Sequence, residues 1–151
     1  MKIDFKELPP RRVLALERRG SYDGFPHALA ELLDLTQRAG LAPSGPPMGV
    51  YYDDPAGVPA EELRYEAQLP VDGDVPPLEG LKVKTFPGGR MVSMFCEPHE
   101  GPREEDYLTL RQLVTASGRR VVGPLYEIYR AAGGDDGEHS TEICLRVVDA
   151  D

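Results

Sequence analysis

The chain has 151 residues, a formal net charge of −9 and 40% hydrophobic residues. That length fits one domain with its own core, and the composition is globular rather than disordered. No stretch approaches the roughly 18 apolar residues of a membrane helix. The opening Met1-Lys2-Ile3-Asp4-Phe5 has no signal pattern, so cytoplasmic residence is expected. The acidic balance argues against nucleic-acid binding, whose affinity comes mainly from phosphates neutralised by Lys and Arg. It favours cationic small molecules or basic protein faces, although charge alone requires nothing beyond solubility.

In chain order, Ile3 to Leu8 reads as a short strand ended by Pro9-Pro10, and Arg12 to Arg19, carrying Val13-Leu14-Ala15-Leu16, as a buried strand. Gly20-Ser21-Tyr22-Asp23-Gly24 is turn chemistry. Phe25, Ala28, Leu29, Leu32, Leu33 and Leu35 recur at helical spacing and predict a helix to about Ala39, with Gly40 as its stop. Strands are predicted at Met48 to Tyr52 and Leu63 to Val71, either side of the turn Asp53-Asp54-Pro55-Ala56-Gly57. After a linker at 72–78 the order repeats: strands at Leu81 to Phe86 and Arg90 to Cys96, a helix at Pro102 to Ser117, and strands at Val121 to Arg130 and Thr141 to Val148. The second helix opens on Glu104, Glu105 and Asp106, which suit its dipole, and turns Tyr107, Leu110, Leu113 and Val114 inward. Gly133-Gly134-Asp135-Asp136-Gly137 reads as a loop.

One offset, 78, relates the two halves. Pro9, Arg12, Leu32, Leu35, Gly40, Gly45, Pro46 and Tyr51 recur as Pro87, Arg90, Leu110, Leu113, Gly118, Gly123, Pro124 and Tyr129. Eight identities at turns, a helix end and a strand mark an internal duplication, with repeats at 1–71 and 79–148 in a single domain. Each unit has a sheet face that a single helix covers. Two β-α-β-β units together predict an α+β fold: an eight-stranded antiparallel sheet with both helices on one face and a groove between them. Such seams attract ligands.

Cys96 and Cys144 form no CxxC and read as reduced thiols. His27, His99 and His139 are dispersed, with His27 near the first helical turn and the other two in loops, and neither a metal nor a cofactor motif is present. Glu127 stands out. It lies in Leu125-Tyr126-Glu127-Ile128-Tyr129 and shares a strand face with Leu125 and Tyr129. A carboxylate on an apolar face is costly to desolvate without a partner, and a bound cation is one such partner; strand parity alone also permits a solvent-facing Glu127. Tyr51 and Tyr129 are equivalent positions whose rings are expected near the pseudo-two-fold axis, either as a cation-attracting aromatic pair or as plain packing. Tyr22 is expected at the groove rim. Phe95 and Met94 serve as walls or core. Glu142 has a strand equivalent in Glu66, and a surface role is open to it. Asp53 and Asp54 read as turn formers.

Several stretches carry a resemblance. Leu8-Pro9-Pro10-Arg11-Arg12-Val13, Arg19-Gly20-Ser21-Tyr22, Gly49-Val50-Tyr51-Tyr52-Asp53-Asp54-Pro55, Leu63-Arg64-Tyr65-Glu66-Ala67, Gly123-Pro124-Leu125-Tyr126-Glu127-Ile128-Tyr129 and Thr141-Glu142-Ile143-Cys144 together resemble GyrI-like small-molecule-binding proteins. That family includes the effector-binding domains of AraC- and MerR-type multidrug regulators, stand-alone binders and a few hydrolases, on a SOUL-like fold. The chain departs from its relatives in having no Trp, Cys144 where an aromatic is common, and Leu145-Arg146 for Ile-Pro.

The resemblance implies a stand-alone binder of a small, cationic or amphipathic organic ligand, without a helix-turn-helix domain, with Glu127 meeting the cation and Glu142 reaching the pocket. The resulting ligand set is Glu127, Tyr51, Tyr129, Tyr22, Phe95 and Glu142. Two alternatives stay open. One is a hydrolase of reactive small molecules with Glu127 as base and Tyr51 or Tyr129 orienting substrate. The other is a protein-interaction role, such as gyrase modulation or toxin antagonism.

Overall fold

A computed structural model describes residues 2–98, 102–131 and 139–150. Eight strands are seen, β1 (Lys2–Leu8), β2 (Arg11–Arg19), β3 (Met48–Tyr51), β4 (Arg64–Pro70), β5 (Lys82–Phe86), β6 (Gly89–Cys96), β7 (Arg119–Ala131) and β8 (His139–Asp149), with two helices, α1 (Phe25–Arg38) and α2 (Glu104–Ala116). The described ladders are antiparallel and the fold is α+β, as the periodicity predicts. His139, expected in a loop, instead opens β8. His99 and the glycine-rich loop at 133–137 lie outside the described residues.

Two compact units emerge, cut differently from the sequence repeats. One is continuous, Pro10–Pro87; the other is discontinuous, Met1–Pro9 with Gly88–Asp151. The reason is an exchange of leading strands. β1 opens the first repeat but pairs with β6, Ile3 opposite Met94 and Phe5 opposite Val92. β5 opens the second repeat but pairs with β2, Val83 opposite Leu14. Each unit is therefore a contiguous β-α-β-β segment completed by a strand from the other repeat. Strand order is β3-β4-β2-β5 in the continuous unit and β1-β6-β8-β7 in the discontinuous one.

In the continuous unit, α1 buries Phe25, Ala28, Leu32 and Thr36, a three- and four-residue spacing that makes one apolar stripe. Pro26 sits in the first turn, where its missing N–H costs nothing. In the discontinuous unit, α2 sets Leu110 and Val114 against Val92, Met94, Ile143 and Leu145. Asp106 accepts a hydrogen bond from the Arg103 N–H at 2.8 Å and closes the start of α2. The helices end at equivalent glycines, Gly40 (φ +72°) and Gly118 (φ +78°). That left-handed conformation is strained for any residue with a Cβ, which explains why both ends of the duplication kept glycine.

Candidate functional site

Glu127 sits on β7 opposite Ile143 of β8, so its side chain leaves the sheet on the face packed by α2. It is only 9% exposed. The Tyr107 hydroxyl, from α2, donates to Glu127 Oε2 at 2.5 Å, and the Tyr129 hydroxyl donates to Oε1 at 3.0 Å. Tyr129 lies two residues along the same strand face, and Tyr107 is presented by the helix turn that also carries Leu110. Burial pushes the Glu127 carboxyl above its usual value of 4.5, and the two phenols pull it only part of the way back. Among the described residues, neither Lys nor Arg is a partner of Glu127.

Glu142 pairs with Ile128 and leaves the opposite face of the same sheet. It is 3% exposed. Lys6, from the exchanged strand β1, bonds to Oε2, and the Arg130 guanidinium holds Oε1 at 2.8–2.9 Å. Burial disfavours the Glu142 charge, but these two cations outweigh it and hold its carboxyl below the usual range. A cavity of about 750 Å³ has Glu142, Lys6, Arg130 and Phe95 in its lining, together with Arg103, Glu105 and Asp106 at the start of α2. Phe95 is the register partner of Glu142 across β6 and β8. Met94 is fully buried and belongs to the core.

The continuous unit repeats part of this arrangement. Glu66, 3% exposed, accepts from Lys84 Nζ at 2.7 Å, the Tyr52 hydroxyl at 2.6 Å and Gln68 Nε2 at 3.0 Å. Lys84 stands on the exchanged strand β5 at the offset of 78 from Lys6. It also donates to Glu17 at 2.6 Å, and Lys82 pairs with the same carboxylate. Burial pulls the Lys84 ammonium down, and the bonds to Glu17 and Glu66 more than reverse this.

Tyr51 is packed among rings: Tyr22 edge-on at 4.9 Å between centroids and Phe25 at 5.7 Å. The Tyr22 hydroxyl donates to the Asp53 carbonyl at 2.6 Å and accepts from the Asp53 N–H at 3.0 Å, fixing the turn. Asp53 takes Arg64 Nη2 at 2.8 Å, and Asp54 Oδ1 accepts from the Ala56 N–H at 2.9 Å, so both acids shape the turn.

The six candidates thus fall into three places. Glu127 and Tyr129 meet under α2, Glu142 and Phe95 meet at the cavity, and Tyr22 and Tyr51 meet in the aromatic cluster of the continuous unit. Sequence reasoning placed Tyr107 on the inner face of its helix without assigning it to Glu127. It also passed over Lys6 and Lys84, which the repeat offset relates, and Arg130. His27 is exposed, and both cysteines are buried, with burial pushing the Cys144 thiol up to about 12. Among the described residues, no helix is long and apolar enough to cross a membrane, and no group of His, Cys, Asp and Glu is arranged to hold a metal ion.

Comparison with known proteins supplies the family. A relative named DNA gyrase inhibitor, from Erwinia billingiae, is 30% identical over 112 residues, 71% of this chain and 72% of the relative. The crystal structure of the EcmrR C-terminal domain matches with a TM-score of 0.81 at 17% identity, over 99% of this chain and 98% of that one. SAV2435, solved bound to tetraphenylphosphonium, matches with a TM-score of 0.54 at 13% identity, over 98% and 94% of the respective chains. At those identities the two structures establish a shared fold. The model of the GyrI-like small molecule binding domain matches residues 1–148, and with nearly the whole chain covered, this protein belongs to the GyrI-like small-molecule-binding family.

Proposed function

We propose that the small molecule this protein binds is an organic cation with aromatic or amphipathic character, and that Glu127 is its counter-charge. The observation behind this reading is a carboxylate 9% exposed, bonded to two phenols and, among the described residues, to no basic side chain. Burial holds such a group above the usual carboxyl value of 4.5. An incoming cation favours the ionised form and adds a charge–charge attraction in a medium where it is poorly screened. The phenol rings of Tyr107 and Tyr129 offer faces that attract delocalised positive charge. The likeness to a structure solved with tetraphenylphosphonium is in keeping with this chemistry.

The test is a titration of the wild type and Glu127→Gln with tetraphenylphosphonium. Saturable binding by the wild type is expected, weakened about tenfold or more in the variant, the scale of one lost charge-assisted contact. Equal affinity in the two proteins sinks the reading.

A second reading draws on the same carboxyl, whose basicity burial raises in the direction a general base requires. It makes the protein a hydrolase of strained electrophiles, with water held between Glu127 and a tyrosine. Turnover of a model epoxide that vanishes in Glu127→Gln supports it, and no turnover by the wild type ends it.

A further inference from the structure

The two repeats place the same backbone positions around Glu66 and Glu142, and the substitutions between them change the charge balance. In the continuous unit, Lys84 is shared by Glu66 and Glu17, and Tyr52 adds a neutral hydroxyl. At the offset of 78, Glu17 becomes Phe95 and Tyr52 becomes Arg130. In the discontinuous unit, Lys6 and Arg130 therefore converge on one buried carboxylate, Glu142. One acid has been replaced by a ring and one phenol by a guanidinium, and among the described residues a positive charge is left over at this spot. It is also the spot where the cavity of about 750 Å³ opens.

The remaining lining gives that cavity a polarity. Phe95, half-buried, supplies an apolar wall. Asp4 and Glu97 are exposed and place negative charge at the rim. Arg103 and Glu105, also in the lining, pair with each other at 3.7 Å, and Asp106 is held by the Arg103 N–H, so these groups largely satisfy one another. The lining thus brings together two half-buried cations, Lys6 and Arg130, two exposed acids, Asp4 and Glu97, and one aromatic side chain.

The geometry points to a second binding site here, beyond the Glu127 reading and independent of it, for a small zwitterion with an apolar side chain, such as a free aromatic amino acid. Its carboxylate meets Lys6 and the outer edge of the Arg130 guanidinium, whose fork has donors beyond the two spent on Glu142. Its ammonium faces Asp4 and Glu97, and its side chain lies against Phe95.

Ligand-observed NMR titrations with L-phenylalanine, phenylacetate and phenethylamine test this. L-Phenylalanine is expected to bind saturably, phenylacetate more weakly and phenethylamine most weakly. Phe95→Glu restores the carboxylate that the other repeat carries at Glu17, an arrangement this fold already accommodates, and gives Lys6 a second acid. It is expected to weaken L-phenylalanine binding about tenfold or more, as is Arg130→Tyr, which restores the counterpart of Tyr52. In the wild type, Overhauser contacts are expected between the ligand ring and the Phe95 side chain, a readout that needs no variant to fold. The proposal is overturned by no saturable binding of L-phenylalanine, by phenethylamine binding more tightly, by unchanged affinity in both variants, or by a bound ring with no contact to Phe95. Tetraphenylphosphonium is absent from these titrations, so their outcome is read separately from that of the Glu127 site.

Discussion

Replacing Lys84 by Met keeps the aliphatic stem and removes the ammonium from between two acids. Glu66 then loses a contact of 2.7 Å, and Glu17 one of 2.6 Å. The Glu66 side chain is 4% exposed, so its charge stays poorly hydrated. Removing one partner of a fully buried pair costs about 3–5 kcal/mol. Two features reduce that figure here: Tyr52 and Gln68 still donate to Glu66, and the Lys84 side chain is 31% exposed. The expected loss is about 2 kcal/mol, or about 4–8 °C in the thermal midpoint of a chain of this size. Glu17 is more exposed and keeps Lys82, so it contributes little. In a Glu66→Gln background no buried charge is stranded, and Lys84→Met is expected to cost about 0.5 kcal/mol. Urea denaturation of wild type, both single variants and the double variant closes the cycle. Equal cost of Lys84→Met in the two backgrounds refutes the reasoning, because the penalty would then come from something other than the stranded carboxylate.

Glu127 makes the stability of the fold depend on pH. Its folded pKa lies above the unfolded value, so its contribution is fully present below about 4.5 and is lost as pH rises through the folded value. The stability of the wild type relative to Glu127→Gln is therefore expected to fall as pH is raised above 4.5, measured by urea melts across that window; a flat difference counts against the assignment. Glu142, held low by Lys6 and Arg130, should lose stability as pH falls below 4.5, so the melts of Glu142→Gln should diverge from wild type in the other direction. Leu110→Ala removes a fully buried side chain from the core of the discontinuous unit and should cost about 3 kcal/mol in the same assay. Gly118→Ala meets no atom within 4 Å of the added Cβ but is forced to keep φ at +78°, so it should cost about 1 kcal/mol from the backbone alone.

Much of this architecture was legible because duplication prints each signal twice. Gly40 with Gly118, and the apolar stripes at Leu32 and Leu110, fix both helices within a residue or two. Glu127 was legible because strand alternation sets a charge beside Leu125 and Tyr129, and the packed face proved to be theirs. The strand exchange was not legible: nothing local in Lys2–Leu8 distinguishes pairing with β2 from pairing with β6. The partners of the buried glutamates stayed hidden for the same reason. Lys6 reaches Glu142 across an intervening strand, and Tyr107 reaches Glu127 from a helix 20 residues away. Lys6 and Lys84 did share the repeat offset, but a lysine in the leading strand of each repeat reads as ordinary solvation until the sheet order is known.

The duplication also explains why, among the described residues, only one of the two units carries a buried carboxylate bonded to two phenols. At the offset of 78, Tyr107, Glu127 and Tyr129 correspond to Leu29, Gly49 and Tyr51. The continuous unit thus has one of the three groups, and its tyrosine is occupied with Tyr22 and Phe25. A second carboxylate at position 49, in the interior of that unit, would have no phenol from α1 to meet it, since Leu29 offers none, and would bear its desolvation cost nearly alone. Conversely, the residues that the halves do share, Lys6 with Lys84 and Glu142 with Glu66, are the ones tying each exchanged strand into its sheet. Symmetry has been kept where it holds the chain together, and given up at 29 and 107 and at 49 and 127, where one unit carries a buried carboxylate with its phenol and the other carries neither.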